Sequence, residues 1–120
     1  RNAVMVGSMR SYSPEQGDIF LMELSPQAGT EIAGPHRVLV LSEKPFNVAT
    51  GLFMACPITS KIKGSPFEVV VPSGLKAHGC VIASEVRTMD YIARNAKFME
   101  KAPAILVDKV LDIVTTILGK

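Results

Sequence analysis

Cysteine is scarce in this chain. Cys56 and Cys80 stand far apart, with no C-x-x-C pair and no histidine at ligand spacing. That argues against a disulfide framework and against a zinc or other metal site, and it suits a reducing cytosol. Charge of one sign is also lacking. Thirteen Lys and Arg against eleven Asp and Glu leave +2, too little to indicate nucleic acid unless the fold gathers the basic residues on one face. Tryptophan is absent and aromatics make up 6%. The longest apolar run, Val38-Leu39-Val40-Leu41, is strand-sized, far short of the ~18 residues of a membrane helix. Residues 1–16 hold no apolar signal-peptide core, so the expectation is a cytoplasmic protein with no membrane association. Gly7-Ser8-Met9 resembles a cloning junction, so 1–8 reads as a vector-derived or disordered leader before a single domain over 9–120.

What is present indicates a folded domain. With 48% hydrophobic residues, 20% charged residues and a mean hydropathy of +0.28, disorder is excluded. A chain of this length can bury roughly two thirds of its unfolded surface without a disulfide or metal staple. Asp18 to Leu24, between Gly17 and Ser25-Pro26, reads as a first strand. Residues 25–36, with two prolines and two glycines, read as a loop long enough to be functional. Arg37 to Ser42 reads as a second strand, apolar on both faces and therefore fully buried. Phe46-Asn47 and Thr50-Gly51 mark a turn. Leu52 to Ile58 reads as a third strand, broken near its end by Pro57, and Lys61 to Pro66 as a basic loop. Phe67 to Val71 and Gly79 to Val86 read as the fourth and fifth strands. Met89 to Phe98 is ambiguous between a short helix and a brief strand from Ala96 to Met99.

Pro103 opens the one long helix and Gly119 stops it. Its stripe Leu106, Val110, Ile113 and Ile117, flanked by Val107, Leu111, Val114 and Leu118, is too wide for one-sided burial. The helix therefore packs on its own sheet and on a partner subunit. Short strands with turn punctuation and one terminal helix predict a small, strongly curled antiparallel sheet or barrel.

Several short motifs follow one another in a specific order. They are Gly17-Asp18-Ile19, Gly29-Thr30-Glu31, Val38 to Ser42, Phe46-Asn47, Pro57-Ile58-Thr59-Ser60, Gly64 to Val69, and Ser84 to Asp90. Over residues 13–118 the series resembles the MazF/PemK (Kid) family of toxin–antitoxin endoribonucleases. The resemblance implies an SH3-like small antiparallel β-barrel with a C-terminal helix, assembled as a homodimer. It implies cleavage of single-stranded RNA, mostly mRNA, at a short sequence motif and without a metal or other cofactor. The chemistry it implies is like that of RNase A: the 2′-OH attacks phosphorus, leaving a 2′,3′-cyclic phosphate and a 5′-OH. The implied partner is a cognate antitoxin whose acidic, partly disordered tail covers the RNA groove. Two other readings keep the fold and change the class: a CcdB-like gyrase poison, and a non-catalytic SH3-like interaction module.

In-line attack by a 2′-OH needs a group to take its proton, a cation or donors to stabilise the phosphorane, and a proton for the 5′-oxygen. His36, Arg37, Thr59 and Ser60 are the candidates, at the mouth of the second strand and the end of the third. The family pattern is Arg-Pro ahead of the apolar strand. Counting back from Ser42 puts His36 on the Arg and Arg37 on the Pro. Either Arg37 takes the family Arg role through a one-residue shift, or His36 has replaced it; the balance favours Arg37 as phosphorane stabiliser and His36 as proton carrier. By resemblance Thr59 is the catalytic Thr and Glu31 a loop acid acting as base or organiser of the Arg. Taken without the family, His36 would be a surface or capping residue and Thr59 a structural strand-end hydroxyl. Lys61, Lys63, Arg87, Arg94 and Lys97 are the expected phosphate contacts, Arg94 and Lys97 being otherwise solvated rim charges, with Ser60 as a further hydroxyl. Of the aromatics, Tyr91 is the candidate to stack a base, Phe46 and Phe53 being core. His78, beside Gly79, reads as an exposed turn residue. A variant of the family mechanism uses a late Arg and Asp, which here are Ile82 and Ser84.

Overall fold

The computed structural model describes residues 12–24 and 34–120. The leader expected over 1–8 lies outside the described residues, as do residues 25–33 of the expected loop. Continuous apolar runs build the first two strands, β1 (Asp18–Leu24) and β2 (Gly34–Val40), paired antiparallel with Leu21 opposite Arg37 and Met22 opposite His36. β2 thus begins at Gly34, so His36 is a strand residue rather than the end of a loop. On its other side β2 pairs with β3 (Phe53–Thr59), placing Arg37 opposite Ile58 and Val38 opposite Pro57. β4 (Glu68–Val70) and β5 (Cys80–Ile82) extend the sheet beyond β3. β6 (Arg87–Met89) also pairs with β3, and β7 (Lys97–Lys101) pairs with β1. The order is β4-β5-β3-β2-β1-β7. Every pairing is antiparallel and the ladder is curled without closing, the barrel-like architecture expected from the turn punctuation.

β2 shows why its run is apolar on both faces. Leu39, with Leu41 just beyond the strand, joins a core containing Ile19, Cys56, Ile58, Val69 and Val81. Val38 and Val40 join a second core with Phe20, Met22, Leu24, Phe53 and Met89 on the opposite face. The terminal helix α2 (Ala104–Ile117), entered at Pro103, seals the first core with Leu106, Val107 and Val110. Each of these buried side chains contributes on the order of 1.5–3 kcal/mol of apolar burial. The wide apolar arc is only partly used: Ile105, Ile117 and Leu118 stay more than half or about half exposed.

Three sequence expectations change. Phe46-Asn47 and Thr50-Gly51 are not a turn between strands but lie in and just after a short helix, α1 (Lys44–Thr50), with Pro45 in its first turn and Gly51 in the left-handed region behind it. Its anchor is tertiary: the fully buried Asn47 amide donates to Pro14 O (2.9 Å) and Ser42 O (3.2 Å) and accepts from Ser42 Oγ (2.6 Å). Pro57 does not break β3, which runs on to Thr59. On the far side of β3, β6 pairs as far as Ala55 and β5 begins at Ile58, so Pro57 falls where no strand lies opposite and its missing N–H costs nothing. The strand expected from Gly79 to Val86 is divided. A 3₁₀ turn at Ala83–Glu85, held by Ala83 N donating to Phe67 O (2.9 Å), separates β5 from β6.

A buried carboxylate ties the start of the domain to β7. Asp18, with no exposed surface, accepts from Tyr12 Oη (2.5 Å), Glu15 N (2.9 Å) and Lys101 Nζ (2.7 Å). Burial and then the bond to Asp18 push the Tyr12 phenol up to about 12, and the bond to Asp18 raises Lys101. Both groups hold their protons more tightly folded than unfolded, so their stabilisation is complete below the unfolded values and disappears as pH rises through the folded ones. The unfolding free energy should therefore fall between pH 10 and about 12. Tyr12→Phe should flatten that decline in urea titrations across a pH series.

Candidate active site

The sheet brings one end of β2 and one end of β3 together. Continuing the pairing of Arg37 with Ile58 by one residue sets His36 across from Thr59. Alternation turns Arg37 to the same face as Leu21 and Ile58, and His36 to the face of Thr59. Because the strands end here, a cavity of about 820 Å³ reaches both residues. It is lined by His36, Arg37, Thr59, Ser60, Lys61 and Lys63, with Leu21, Pro35, Ile58, Ser65, Glu68, His78, Ile82 and Glu85 completing the wall. The Nε of Arg37 is buried and makes no hydrogen bond among the described residues. A buried guanidinium N–H without a partner costs on the order of 1–3 kcal/mol, and an entering phosphate oxygen would remove that cost.

The basic loop after β3 is shaped from within. Thr59 Oγ1 accepts from Lys61 N (3.2 Å). The Glu68 carboxylate accepts from Lys63 N (3.1 and 3.2 Å) and Gly64 N (2.9 Å). These bonds hold Lys61 and Lys63 on the cavity rim instead of leaving them on a loose loop.

Opposite them the chain comes in unusually close. A Cβ built on Gly79 would stand 1.9 Å from Thr59 O and 2.7 Å from Ser60 Cα, and Gly79 has φ +107°. Only glycine fits there, and it brings the segment before β5 against the Thr59-Ser60 corner. His78 is therefore more than an exposed turn residue: it is exposed, but on the cavity wall. No local pattern marked it, since the contact that places it is long-range.

Not every expected residue is gathered. Tyr91, the base-stacking candidate, is not on the cavity wall but half-buried against the second core: its ring stacks on the buried Phe53 (5.2 Å, 19°) and its hydroxyl donates to Asn47 O (2.9 Å). Arg87 lies in β6 opposite Ala55 and is not on the cavity wall. Glu31 lies outside the described residues. Ile82, at the position of the variant Arg, presents an aliphatic side chain to the cavity. The thiols offer no nucleophile near neutrality: burial, with Glu85 beside it, pushes Cys56 up to about 12, and burial also raises Cys80.

Comparison with known proteins agrees with this fold. The family model of the PemK-like, MazF-like toxin of type II toxin-antitoxin systems matches residues 15–118. The chain belongs to this family. It is 38% identical to the endoribonuclease toxin MazF of Escherichia coli K12 over 85 residues, 71% of this chain and 76% of that one. It is 34% identical to the endoribonuclease PemK of E. coli over 113 residues, 91% of this chain and 85% of the relative. The crystal structure of MazF from Deinococcus radiodurans superposes with a TM-score of 0.87 at 39% identity, covering 92% of this chain and all of that one. That MazF has also been solved as a MazE–MazF complex, with a TM-score of 0.82. His36 and Arg37, between which the sequence leaves the family Arg role open, both line the cavity.

Proposed function

We propose that this chain is a toxin endoribonuclease that cleaves single-stranded RNA, chiefly mRNA in the cytoplasm, at a short sequence motif and without a metal. The observation that carries the reading is the convergence of His36, Arg37, Thr59, Ser60, Lys61 and Lys63 on one cavity wall, in a family whose relatives are endoribonucleases. Lys61 and Lys63 draw in the backbone and set its register without reading bases. Arg37 binds the scissile phosphate through its unpaired Nε–H and stabilises the negative phosphorane as the 2′-oxygen adds to phosphorus. His36 exchanges a proton with a reacting oxygen, and the Thr59 hydroxyl, fixed by the Lys61 amide, orients the phosphate. When the P–O5′ bond breaks, the products are a 2′,3′-cyclic phosphate and a 5′-OH. Glu31 enters on resemblance alone, as base or organiser of the Arg.

The partners proposed are a cognate antitoxin and a second copy of the chain. An acidic, partly disordered antitoxin tail would complement the lysine-rimmed cavity, and D. radiodurans MazF is solved bound to MazE. Ile105, Ile117 and Leu118, apolar and uncovered on α2, favour a homodimer.

The test is incubation with a long unstructured RNA in excess EDTA, followed by mapping of the sites and ends. Cuts at a recurring motif with cyclic-phosphate and 5′-OH ends are expected. Intact RNA, with the protein folded and free of antitoxin, would overturn the reading in favour of a non-catalytic SH3-like module or a CcdB-like poison.

A further inference from the structure

The reaction just proposed moves two protons, one off the 2′-oxygen and one onto the 5′-oxygen. In an in-line displacement these oxygens occupy opposite apices of the phosphorane, so the two proton-transfer groups must approach from opposite sides. Imidazole is the side chain whose ordinary pKa suits both tasks near neutrality. The chain has two histidines, and both line this one cavity.

Their placement matches the chemistry. The order β5-β3-β2 puts Thr59, on β3, between the strand that carries His36 and the strand that follows His78. Strands two apart are separated by about 10 Å, a span that accommodates a phosphorane with a hydrogen bond at either apex. His78 is also held where it stands. On its N-terminal side, Lys76 N and Ala77 N each donate to the Glu100 carboxylate at 2.8 Å. On its C-terminal side, Gly79 is pressed on Thr59, Gly79 O accepts from Val71 N (2.8 Å), and Cys80 pairs with Thr59. Among the described residues no hydrogen bond engages the His78 ring, which stays exposed to the cavity. The backbone is thus fixed on both sides of His78, and its ring nitrogens are left free for a reacting oxygen in the cavity.

We infer that His78 is the second proton-transfer residue of this site, acting on one apical oxygen while His36 acts on the other. The inference rests on the nuclease reading. One imidazole enters each turnover neutral and leaves protonated, the other does the reverse, and the two exchange protons with water between turnovers, so no further reactant is needed.

The experiment compares wild type, His36→Ala, His78→Ala and His78→Gln on a chimeric oligonucleotide containing the mapped cleavage site. Cleavage rates are measured across a pH series, with the scissile 5′-oxygen present or replaced by sulfur. A thiolate leaves without protonation, so the sulfur substrate bypasses the acid. The wild type should give a bell-shaped profile. Each histidine variant should lose 10²–10⁴-fold in rate on the oxygen substrate and lose one limb, the opposite one in the two cases. The sulfur substrate should restore one of the two alanine variants and not the other. His78→Gln, which keeps size and hydrogen bonding, should behave as His78→Ala does. If the His78 variants keep both limbs and cleave within a few-fold of wild type, or lose rate equally at all pH values with no sulfur effect assigning the acid to either histidine, the inference is overturned while the nuclease reading stands. If the wild type leaves RNA intact, the nuclease reading itself has failed.

Discussion

Gly79→Ala should lower the unfolding free energy by about 3–5 kcal/mol, a loss read directly from urea titrations. Two costs combine. Alanine at φ +107° occupies a region that side-chain-bearing residues rarely adopt, and its Cβ would sit 1.9 Å from the Thr59 carbonyl oxygen. Neither neighbour can step aside cheaply, because the atoms struck are backbone on the strand that pairs with β2 and β5. The comparison is Gly51→Ala. There φ is +72° and nothing lies within 4 Å of the added Cβ, so only the left-handed cost of about 1–2 kcal/mol should appear. RNA cleavage by any folded Gly79→Ala protein should fall as well, since the clash parts His78 from Thr59.

Arg37→Ala should cost about 10²–10³-fold in kcat, on the scale of removing one preorganised donor to a developing anion. The loss should appear in kcat more than in KM, because the phosphorane carries more negative charge than the ground-state diester. Arg37→Lys should recover little. A lysine keeps the charge but loses the planar fork, and it has no counterpart of the buried Nε–H that is unpaired here. Lys63→Ala should separate binding from chemistry by raising KM and reducing the salt slope by about one. Single-turnover rates over an RNA concentration series, at two ionic strengths, measure both effects. A full rate in Arg37→Ala with a collapsed rate in His36→Ala would transfer the family Arg role to His36.

Much of the architecture was legible because its signals are local. β1 runs between a glycine and a Ser-Pro pair, and α2 between Pro103 and Gly119, so their limits are written in turn chemistry. The double-sided apolar run of β2 announced two cores. What was not legible depends on partners distant in sequence. Asn47, Thr50 and Gly51 favour turns, yet α1 forms because the Asn47 side chain is bonded to Pro14 and Ser42. Pro57 ends strands by rule, but it falls at the gap between β5 and β6. Tyr91 lies in a polar stretch, and Phe53 beneath it and the Asn47 carbonyl, both distant in sequence, hold it half-buried against the second core. At the site, Thr59, Ser60, Lys61 and Lys63 fall within one five-residue stretch and could be read together. His36 and Arg37 were ambiguous because they are neighbours on alternate faces, and it is the end of the strand that exposes both to one cavity. His78 had no sequence signal, since Glu100 and Thr59 place it.

Glu100 also changes what kind of object the sheet is. β7 stands at one end of the strand order, and the hairpin joining β4 to β5 at the other. By holding Lys76 N and Ala77 N, the Glu100 carboxylate joins those two ends where no backbone ladder does. At this seam the Glu100 carboxylate stands in for a backbone ladder, beside the packing of Leu75, Ala77 and Met99 on the first core, and such a seam is where local opening starts. Opening there would lift Ala77 and the His78 segment off the first apolar core while the second stays packed. Amide exchange at Lys76 and Ala77 would be the clock of that motion, running faster than exchange in β2 and reporting sub-global excursions instead of unfolding.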